Sequence, residues 1–476
     1  MADCTGTVGL SQAAFWRQSA CELAALVAAR EVSSRELVEA HLDRIEAVNP
    51  AVNAVTTVLA EQALEAADAR DREAAAGAPL GPLHGVPVTV KESIDLAGSP
   101  TTMGSPSRAG TIPPQTGPEA AGLLAAGAVV VGRTNAPDFS LRMHTDNDLH
   151  GPTLNPWAAD RSPGGSGGGE AVAVATGMSA LGLGGDVGGS QRIPAHWNGI
   201  TTIKPTPGRV PSATSIEPRE PSLALSLMTS YGPFVRSVAD ARVGYHALVR
   251  PDPRDPWSVT IAPGELPYAG PSGMAVLEPV DADDAIRDAV VAAAETLAEA
   301  GFTPALEPAP SLERVADLWA RLFLGDVAYA WPSLEPVLGE GARRFLTDAL
   351  AAYPPPQTRD ELLDVYVERH AVATEWSLFL DRTPLLVAPP MTIAAPPVGF
   401  DLGGVDALRL LFEQQRYILL ANILGLPAAV VPVGVADGLP VAVQLIGPRF
   451  GEQLCLAAAE LIEEAHPPIT PIDPRA

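Results

Sequence analysis

The stretch "GVPVTVKES" (residues 85–93) decides the fold class, because it has the pattern of a buried β-strand. Its valines alternate with other residues up to Lys91, and side chains two residues apart lie on the same face of a strand. An Ala-rich helix is predicted over 59–75, before this stretch. A second one, over 118–126, directly precedes the β-branched run "AGAVVVGRTN" (126–135). Helices that alternate with buried strands predict an α/β protein whose sheet is covered by helices on both faces.

Further elements extend this pattern to the end of the chain. Helices are predicted over 33–48, 282–301 and 311–350, and Asp437-Gly438 between two apolar runs predicts a hairpin. No linker divides the chain, so we predict one large domain over residues 1–476, built on a mixed, mostly parallel, twisted sheet. Its predicted parts are a core at about 20–240 and 420–465, a helical excursion at about 280–400, and a lid-like loop at about 204–233.

Composition narrows the classes of partner. The chain of 476 residues has 31 basic and 56 acidic residues, a formal net charge of −25, which argues against nucleic acid and anionic membrane as partners. Its three cysteines form no pair typical of a disulfide framework. We find no signal peptide and no apolar run of the roughly 18 residues that a membrane span needs. These features predict a soluble, cytoplasmic protein.

Metal and nucleotide sites are not indicated. The segment "HTDNDLH" (144–150) lacks the ligand spacing of a known metal site, and the glycine loop at 164–169 lacks the Lys-Ser/Thr of a phosphate loop. We therefore expect no metal and no cofactor.

The same glycine loop, "SPGGSGGGEA" (162–171), contains a candidate nucleophile, Ser166. Gly164–Gly168 match the G-x-S-x-G pattern of the α/β-hydrolase elbow, in which Ser166 would attack an ester. That elbow needs a strand that leads directly into the serine. The preceding residues, "NPWAADRSP", are polar and contain prolines, so they do not predict one. An esterase that uses Ser166 is kept as an alternative.

A second serine, Ser190, follows an apolar segment in "GGDVGGSQRIPA" (184–195). Consecutive glycines let the backbone turn several N–H groups toward one point, as an oxyanion hole requires. A serine hydroxyl also needs a base. Lys91 is the candidate base, because burial lowers the pKa of a lysine amine. Alternatively, Lys91 ends its strand with the ammonium group reaching water.

Three segments together resemble the amidase signature family of serine hydrolases. They are "GVPVTVKESIDLAG" (85–98), "NPWAADRSPGGSGGGEAVAVATG" (155–177) and "LGLGGDVGGSQRIPAHWNGITTIKPTPGRVP" (181–211). The resemblance implies the fold of that family and a triad in which Lys91 is the base and Ser166 relays the proton. Ser190 is then the nucleophile, and the peptide bond between Gly165 and Ser166 is cis.

The resemblance also implies roles for the residues around the triad. The oxyanion hole is assigned to the N–H groups of Val187, Gly188 and Gly189, and the N–H of Ser190 is a further candidate donor. Asp186 and Arg192 are expected to support this loop without reacting.

The implied substrate is a small amide or carbamate, since the chain resembles metagenome-derived urethanases of the family. On that alignment Ser140, Leu141 and Arg142 line the wall that faces the acyl carbon, and Arg209 lies at the base of the predicted lid. The expected assembly is a monomer or a homodimer. Two alternatives stay open: the A subunit of a tRNA-dependent amidotransferase, which works within a complex, and a non-catalytic binding protein on the same scaffold.

Overall fold

An eleven-stranded sheet forms the centre of the molecule. The computed structural model describes residues 12–217, 221–259, 261, 270–277, 281–305, 308–310 and 312–475. The strands are β1 (Val55–Val58), β2 (Pro87–Lys91), β3 (Val129–Thr134), β4 (Leu181–Asp186), β5 (Thr201–Lys204), β6 (Ser230–Val235), β7 (Gly273–Val276), β8 (Thr303–Pro304), β9 (Leu385–Ala388), β10 (Ala428–Ala436) and β11 (Leu439–Ile446). Their order across the sheet is β1-β3-β2-β4-β6-β5-β10-β11-β9-β7-β8.

The direction of the strands corrects one prediction. Four of the ten pairings in the described sheet are parallel, namely β2–β3, β2–β4, β7–β8 and β7–β9, and the other six are antiparallel. The sheet is therefore mixed, as predicted, but the prediction that it is mostly parallel is wrong. Helix–strand alternation, the basis of that prediction, holds around β2. From β4 across the sheet to β9, each strand runs antiparallel to its neighbour, and this run includes the β10–β11 hairpin.

Fifteen α-helices are described around the sheet. They are α1 (Ala20–Ala28), α2 (Ser34–Val52), α3 (Ala60–Ala75), α4 (Pro118–Ala125), α5 (Gly168–Ala175), α6 (Arg192–Asn198), α7 (Leu223–Met228), α8 (Val238–Leu248), α9 (Asp284–Glu299), α10 (Glu313–Leu334), α11 (Glu340–Ala352), α12 (Arg359–Arg382), α13 (Val405–Gln414), α14 (Arg416–Ile423) and α15 (Glu452–Ala465). None of these described helices is long and apolar enough to cross a membrane.

Both faces of the sheet are buried. Within β3, Val130 packs in one apolar cluster with residues of α1, α4 and α8, whereas Val129 and Val131 pack in another with residues of α2 and α3. Successive side chains of a strand point to opposite faces, so the two clusters lie on opposite sides of the sheet. A third large cluster holds the apolar residues of α10–α14 together. The prediction of helices on both faces is confirmed.

Local signals in the sequence agree with the elements observed. Ser33 and Glu36 form the predicted capping box at the start of α2, and Pro50 lies within the last turn of that helix. Asp437 and Gly438 both have positive φ angles, 49° and 82°, at the turn between β10 and β11. Two central residues with positive φ give the tight hairpin turn that matches strand twist.

The predicted lid-like loop at 204–233 is only partly a loop. It contains α7 and the first residues of β6, and residues 205–211 are buried. The prolines and serines of this segment concealed these elements in the sequence. In addition, α7 has only six residues, too few to show a clear helical period. Positions 218–220 of this segment lie outside the described residues.

Candidate active site

Lys91 ends β2, a strand that is buried along its whole length between β3 and β4. Its Nζ donates a hydrogen bond to Ser166 Oγ at 2.6 Å. Burial lowers the pKa of the Lys91 amine to about 7, although the neighbouring carboxylates, first of all that of Glu170, act in the opposite direction. An amine with this pKa is substantially uncharged at neutral pH. A neutral Lys91 can accept a proton from the hydroxyl that it contacts.

Ser166 lies in the loop that precedes α5 and is completely buried. The peptide bond between Gly165 and Ser166 is cis. A side chain at Gly165 would meet the backbone of residues 142–144, so glycine is needed there for close packing. Thr145 holds the loop from outside: its hydroxyl donates to the carbonyl of Gly164 and accepts the N–H of Gly168.

This setting disfavours the esterase alternative. No described strand leads into Ser166, and no histidine in the described part of the chain contacts its hydroxyl. The nucleophile elbow requires the serine to be exposed at the top of a strand, whereas Ser166 is buried against Lys91.

Ser190 lies in the turn between β4 and α6 and is partly exposed. The N–H of Gly167 donates to the carbonyl of Ser190 at 3.1 Å, so the loops that carry the two serines are in direct contact. Lys91 and Ser166 are both buried. Of the three residues Ser190 is the partly exposed one, so a substrate would meet Ser190 first.

The glycine turn supplies N–H groups beside Ser190. Within the described residues, the N–H groups of Val187, Gly188 and Ser190 have no hydrogen-bond acceptor. The N–H of Gly189 instead donates to Asp186 Oδ1 at 2.8 Å. The prediction that Gly189 is an oxyanion donor is therefore corrected: Gly189 serves the turn, with a φ of 99°.

Asp186 and Arg192 form a buried ion pair beneath this turn. Arg192 Nε and Nη2 donate to the two carboxylate oxygens of Asp186, each at 2.9 Å. Burial acts to raise the pKa of the Asp186 carboxyl, but the charge and hydrogen bonds of Arg192 outweigh it and hold the pKa well below its usual range. Both residues are buried and are bonded to neighbouring groups of the protein, which fits the supporting role predicted for them.

Residues that sequence reasoning missed complete this network. Arg192 also donates to Gln444 Oε1 and Asn422 Oδ1, each at 2.6 Å, and Asn422 Nδ2 donates to Asp186 Oδ1 at 2.8 Å. Trp319 Nε1 donates to the carbonyl of Val187, and Gln415 Nε2 to that of Gly188. These four side chains lie far along the chain in segments without a motif, so no sequence signal pointed to them.

Comparison with known proteins decides the family. The family model described as Amidase matches residues 36–456. The chain belongs to the amidase signature family. Its relatives include the indoleacetamide hydrolase of Bradyrhizobium diazoefficiens, 39% identical over 461 residues that cover 94% of this chain and 86% of the relative. Another is the A subunit of the glutamyl-tRNA(Gln) amidotransferase of Salinispora arenicola, 33% identical over 491 residues that cover 95% and 98%.

Solved structures of this family have the same fold. A bacterial aryl acylamidase superposes with a TM-score of 0.82 at 28% identity and covers 94% of this chain and 96% of its own. A 6-aminohexanoate cyclic dimer hydrolase with bound substrate gives the same score at 26% identity, covering 95% and 98%. The predicted amidase signature fold is confirmed. The protein is an enzyme that hydrolyses amides.

The residues predicted to face the acyl carbon, Ser140, Leu141 and Arg142, differ in what they contact in this amidase. Leu141 is partly buried against the cluster of α10–α14, and Ser140 adopts a positive φ of 62° with its hydroxyl buried and unpartnered. Arg142 is committed to Asp401, which accepts from its Nε at 2.8 Å and from its Nη2 at 3.1 Å. A guanidinium group already paired in this way is poorly available to a substrate.

Arg209 is also held inside the protein. Its Nε donates to the hydroxyl of Tyr245 at 3.1 Å, and its Nη1 donates to the carbonyl of Ile261. No hydrogen bond or ion pair joins it to the triad within the described residues. Arg209 was predicted to lie at the base of a lid over the substrate. These contacts give Arg209 a structural role next to α8.

Proposed function

We propose that this amidase hydrolyses amides and carbamates through an acyl-enzyme on Ser190, with Ser166 as proton relay and Lys91 as base. The observation that carries the proposal is the hydrogen bond of 2.6 Å between Lys91 Nζ and Ser166 Oγ at a lysine whose pKa burial lowers to about 7. The uncharged amine of Lys91 contacts the hydroxyl of Ser166, and the second serine, Ser190, is partly exposed. This arrangement supports general-base activation of a serine.

In this mechanism Ser190 Oγ attacks the carbonyl carbon while its proton passes to Ser166, which gives its own proton to Lys91. The hydrogen bond from Ser190 to Ser166 forms as the substrate binds, since catalytic hydrogen bonds often tighten only in the complex. The N–H groups of Gly188 and Ser190 receive the negative charge that develops on the carbonyl oxygen.

Collapse of the tetrahedral intermediate breaks the C–N bond and leaves the acyl group on Ser190. The leaving amine takes a proton from Ser166, which regains one from Lys91. Water then attacks the acyl-enzyme and loses its proton along the same relay, so that the free acid and the starting enzyme are restored. A carbamate differs in the oxygen beside the carbonyl, and the same steps apply to it. The acyl-enzyme is then a carbonate ester, and its hydrolysis gives an alkyl hydrogen carbonate that breaks down to an alcohol and carbon dioxide.

We infer that the acyl group is aromatic or apolar. Val187, which lies in the turn that carries Ser190, packs against the apolar cluster of α10–α14, and so does Leu141. The names of two similar proteins, an indoleacetamide hydrolase and an aryl acylamidase, refer to amides of this kind. Apolar surface next to the nucleophile favours such a group, because its burial is worth about 25 cal/mol per Å².

The test is turnover of three matched substrates: an arylacetic 4-nitroanilide, an alkyl N-(4-nitrophenyl)carbamate and an arylacetic 4-nitrophenyl ester. The wild type is expected to cleave the anilide and the carbamate, and Ser190→Ala to lose at least about 10⁴-fold in kcat. Ser226→Ala, whose hydroxyl bonds only within α7 and its cap, is the matched control. A fluorophosphonate probe should label Ser190 in the wild type and in this control.

Two outcomes would contradict parts of the proposal. Turnover that survives in Ser190→Ala would remove Ser190 as nucleophile, and an anilide-only enzyme would remove the carbamate. Light scattering on the same preparation measures the oligomeric state, which we predict to be a monomer or a homodimer.

A second candidate function is that of an amidotransferase A subunit. It is supported by the relatives of that name, one of them 33% identical over nearly the full length of both chains. Glutaminase activity together with co-purifying partner subunits would favour it. Full anilide turnover by the isolated chain, without glutaminase activity, would favour the stand-alone hydrolase.

A further inference from the structure

The turn from Val187 to Ser190 has every one of its carbonyl groups held. The carbonyl of Val187 accepts from Trp319 Nε1 at 2.8 Å, and that of Gly188 accepts from Gln415 Nε2. The carbonyl of Gly189 accepts the N–H of Ile193 at 2.8 Å, and that of Ser190 accepts the N–H of Gly167. Two of these four anchors are side chains from the helical part of the molecule, α10 and the junction of α13 with α14.

Anchoring a carbonyl also fixes the N–H of the next residue. The cis bonds of the described chain are Gly165–Ser166 and Thr470–Pro471, so the peptide units of this turn are trans. In a trans unit the C=O and N–H groups point in opposite directions. Trp319, by holding the carbonyl of Val187, therefore points the N–H of Gly188 away from its own indole ring.

The result is that the N–H of Gly189 is occupied, whereas the N–H groups on either side of it are free. The unit whose carbonyl binds Gln415 contributes the N–H of Gly189, and this N–H is bound to Asp186. The units on either side contribute the N–H groups of Gly188 and Ser190, which have no acceptor in the described structure. Together with the N–H of Val187, which also has no acceptor among the described residues, they are the donors that remain for an oxyanion.

Without its anchors this turn would be free to reorient. Glycine populates positive and negative φ with similar ease, so a peptide unit between two glycines can flip at little cost. The indole of Trp319 adds a steric restraint, because a Cβ at Gly188 would overlap its ring. That ring is itself stacked on Phe323, with ring centroids 4.7 Å apart.

We propose that Trp319 and Gln415 are positioning residues that aim the N–H of Gly188 at the carbonyl oxygen of the substrate in the transition state. The inference rests on the proposed function, since it presumes that Ser190 is the nucleophile. It assigns a task in the reaction to two side chains that lie outside the family motifs of this sequence.

The experiment compares Trp319→Phe and Gln415→Met with a matched control, Trp376→Phe. Trp376 is also a buried tryptophan of the helical part, but its Nε1 has no hydrogen-bond partner to lose. Each variant is assayed for kcat and KM on the anilide, and for the inhibition constant of a trifluoromethyl ketone analogue of that substrate, which forms a tetrahedral adduct with an oxyanion.

Trp319→Phe and Gln415→Met are expected to lower kcat about tenfold or more, with KM changed less than about threefold, because oxyanion contacts strengthen in the transition state. The inhibition constant should rise by the same factor by which kcat/KM falls. Trp376→Phe should leave all three quantities unchanged, even if its melting temperature falls as far as that of Trp319→Phe.

The double variant sharpens the result. Since both side chains restrain adjacent peptide units of one turn, their effects on kcat should combine to less than the product of the single effects. If Trp319→Phe does not fold, Gln415→Met carries the test alone.

The proposal is overturned if both variants keep kcat and the inhibition constant within twofold of wild type, or if Trp376→Phe loses as much kcat. Failure of the proposed function looks different: the wild type itself then hydrolyses no anilide, or Ser190→Ala retains turnover.

Discussion

Two buried lysines end strands of the same sheet, Lys91 on β2 and Lys204 on β5, and they differ in what their amines contact. Burial lowers the pKa of each to about 7. Lys91 Nζ contacts a hydroxyl, Ser166 Oγ, whereas Lys204 Nζ donates to the carbonyls of Pro205 and Leu426 at 3.1 and 2.8 Å. Carbonyl groups only accept hydrogen bonds, but a hydroxyl can also give up a proton.

The difference separates a lysine that can act as a base from one that holds backbone. Burial alone does not distinguish them, because it is the largest cause of the lowered pKa in both amines. The hydrogen-bond partner does distinguish them: Lys204 satisfies main-chain acceptors, whereas Lys91 contacts a hydroxyl, which could give it a proton. Perturbed pKa values indicate a functional site only together with such geometry.

The largest expected effect concerns turnover. Lys91→Met should lower kcat on the anilide by about 10³-fold, because it removes the general base. Lys204→Met, the matched substitution, should change kcat by less than about threefold. Steady-state kinetics on both purified variants measure this. Equal losses in the two would break the distinction between them.

The next effect concerns stability and has the opposite order. Lys204→Met leaves the carbonyls of Pro205 and Leu426 without their donor, so the free energy of unfolding should fall by about 1–3 kcal/mol. Lys91→Met should reduce the free energy of unfolding by less, because removal of its amine leaves one hydroxyl without a partner instead of two carbonyls. The buried methionine side chain adds no desolvation cost. Urea denaturation of both variants at pH 7 gives the values. A Lys91→Met protein that is the less stable of the two would contradict the assignment.

A smaller effect is expected in the pH profile. The base must be uncharged, so kcat/KM should fall as the pH drops through about 7, the pKa of Lys91, and should level off above it. The carboxylate of Glu170 raises that pKa, and Glu170→Gln should therefore move the acid limb to lower pH. Glu463→Gln is the control, because Glu463 caps α8 through the N–H of Val238, remote from the triad in its contacts. If the acid limb of Glu170→Gln lies at the same pH as that of the wild type, the claim that Glu170 raises the pKa of the base is wrong.

The smallest effect is expected at Arg209, which follows β5 as Lys204 ends it. Arg209→Met should leave KM for the anilide within about twofold of wild type, since the guanidinium is bound to Tyr245 and Ile261. The substitution should instead lower the melting temperature of the protein. A large rise in KM with unchanged stability would restore the substrate role that the sequence predicted.

Contiguous segments of the sequence carried both the proposal for the triad and a correct prediction of part of the sheet. Lys91, Ser166 and Ser190 each lie in a short motif, and the parallel arrangement of β2 with β3 and β4 follows from helices between them. Strand direction beyond β4 depends on which strands meet in space, and that was beyond a pattern read along the chain.

Side-chain partners from distant segments were the other limit. Arg142 is a plausible substrate contact by its position, yet its guanidinium pairs with Asp401, 259 positions later. Trp319 and Gln415 carry no local signal, because a single hydrogen bond to a carbonyl leaves no trace in spacing or periodicity. Such contacts become visible only when the chain is folded.

The ties of Arg192 have a consequence for how the enzyme is made. Its guanidinium donates to Ile418, Asn422 and Gln444, groups that lie 226 to 252 positions further along the chain. During synthesis Lys91, Ser166 and Ser190 therefore leave the ribosome long before the segments that hold Arg192 in place. We expect the proposed site to be assembled, and activity to begin, only after β11 has been added.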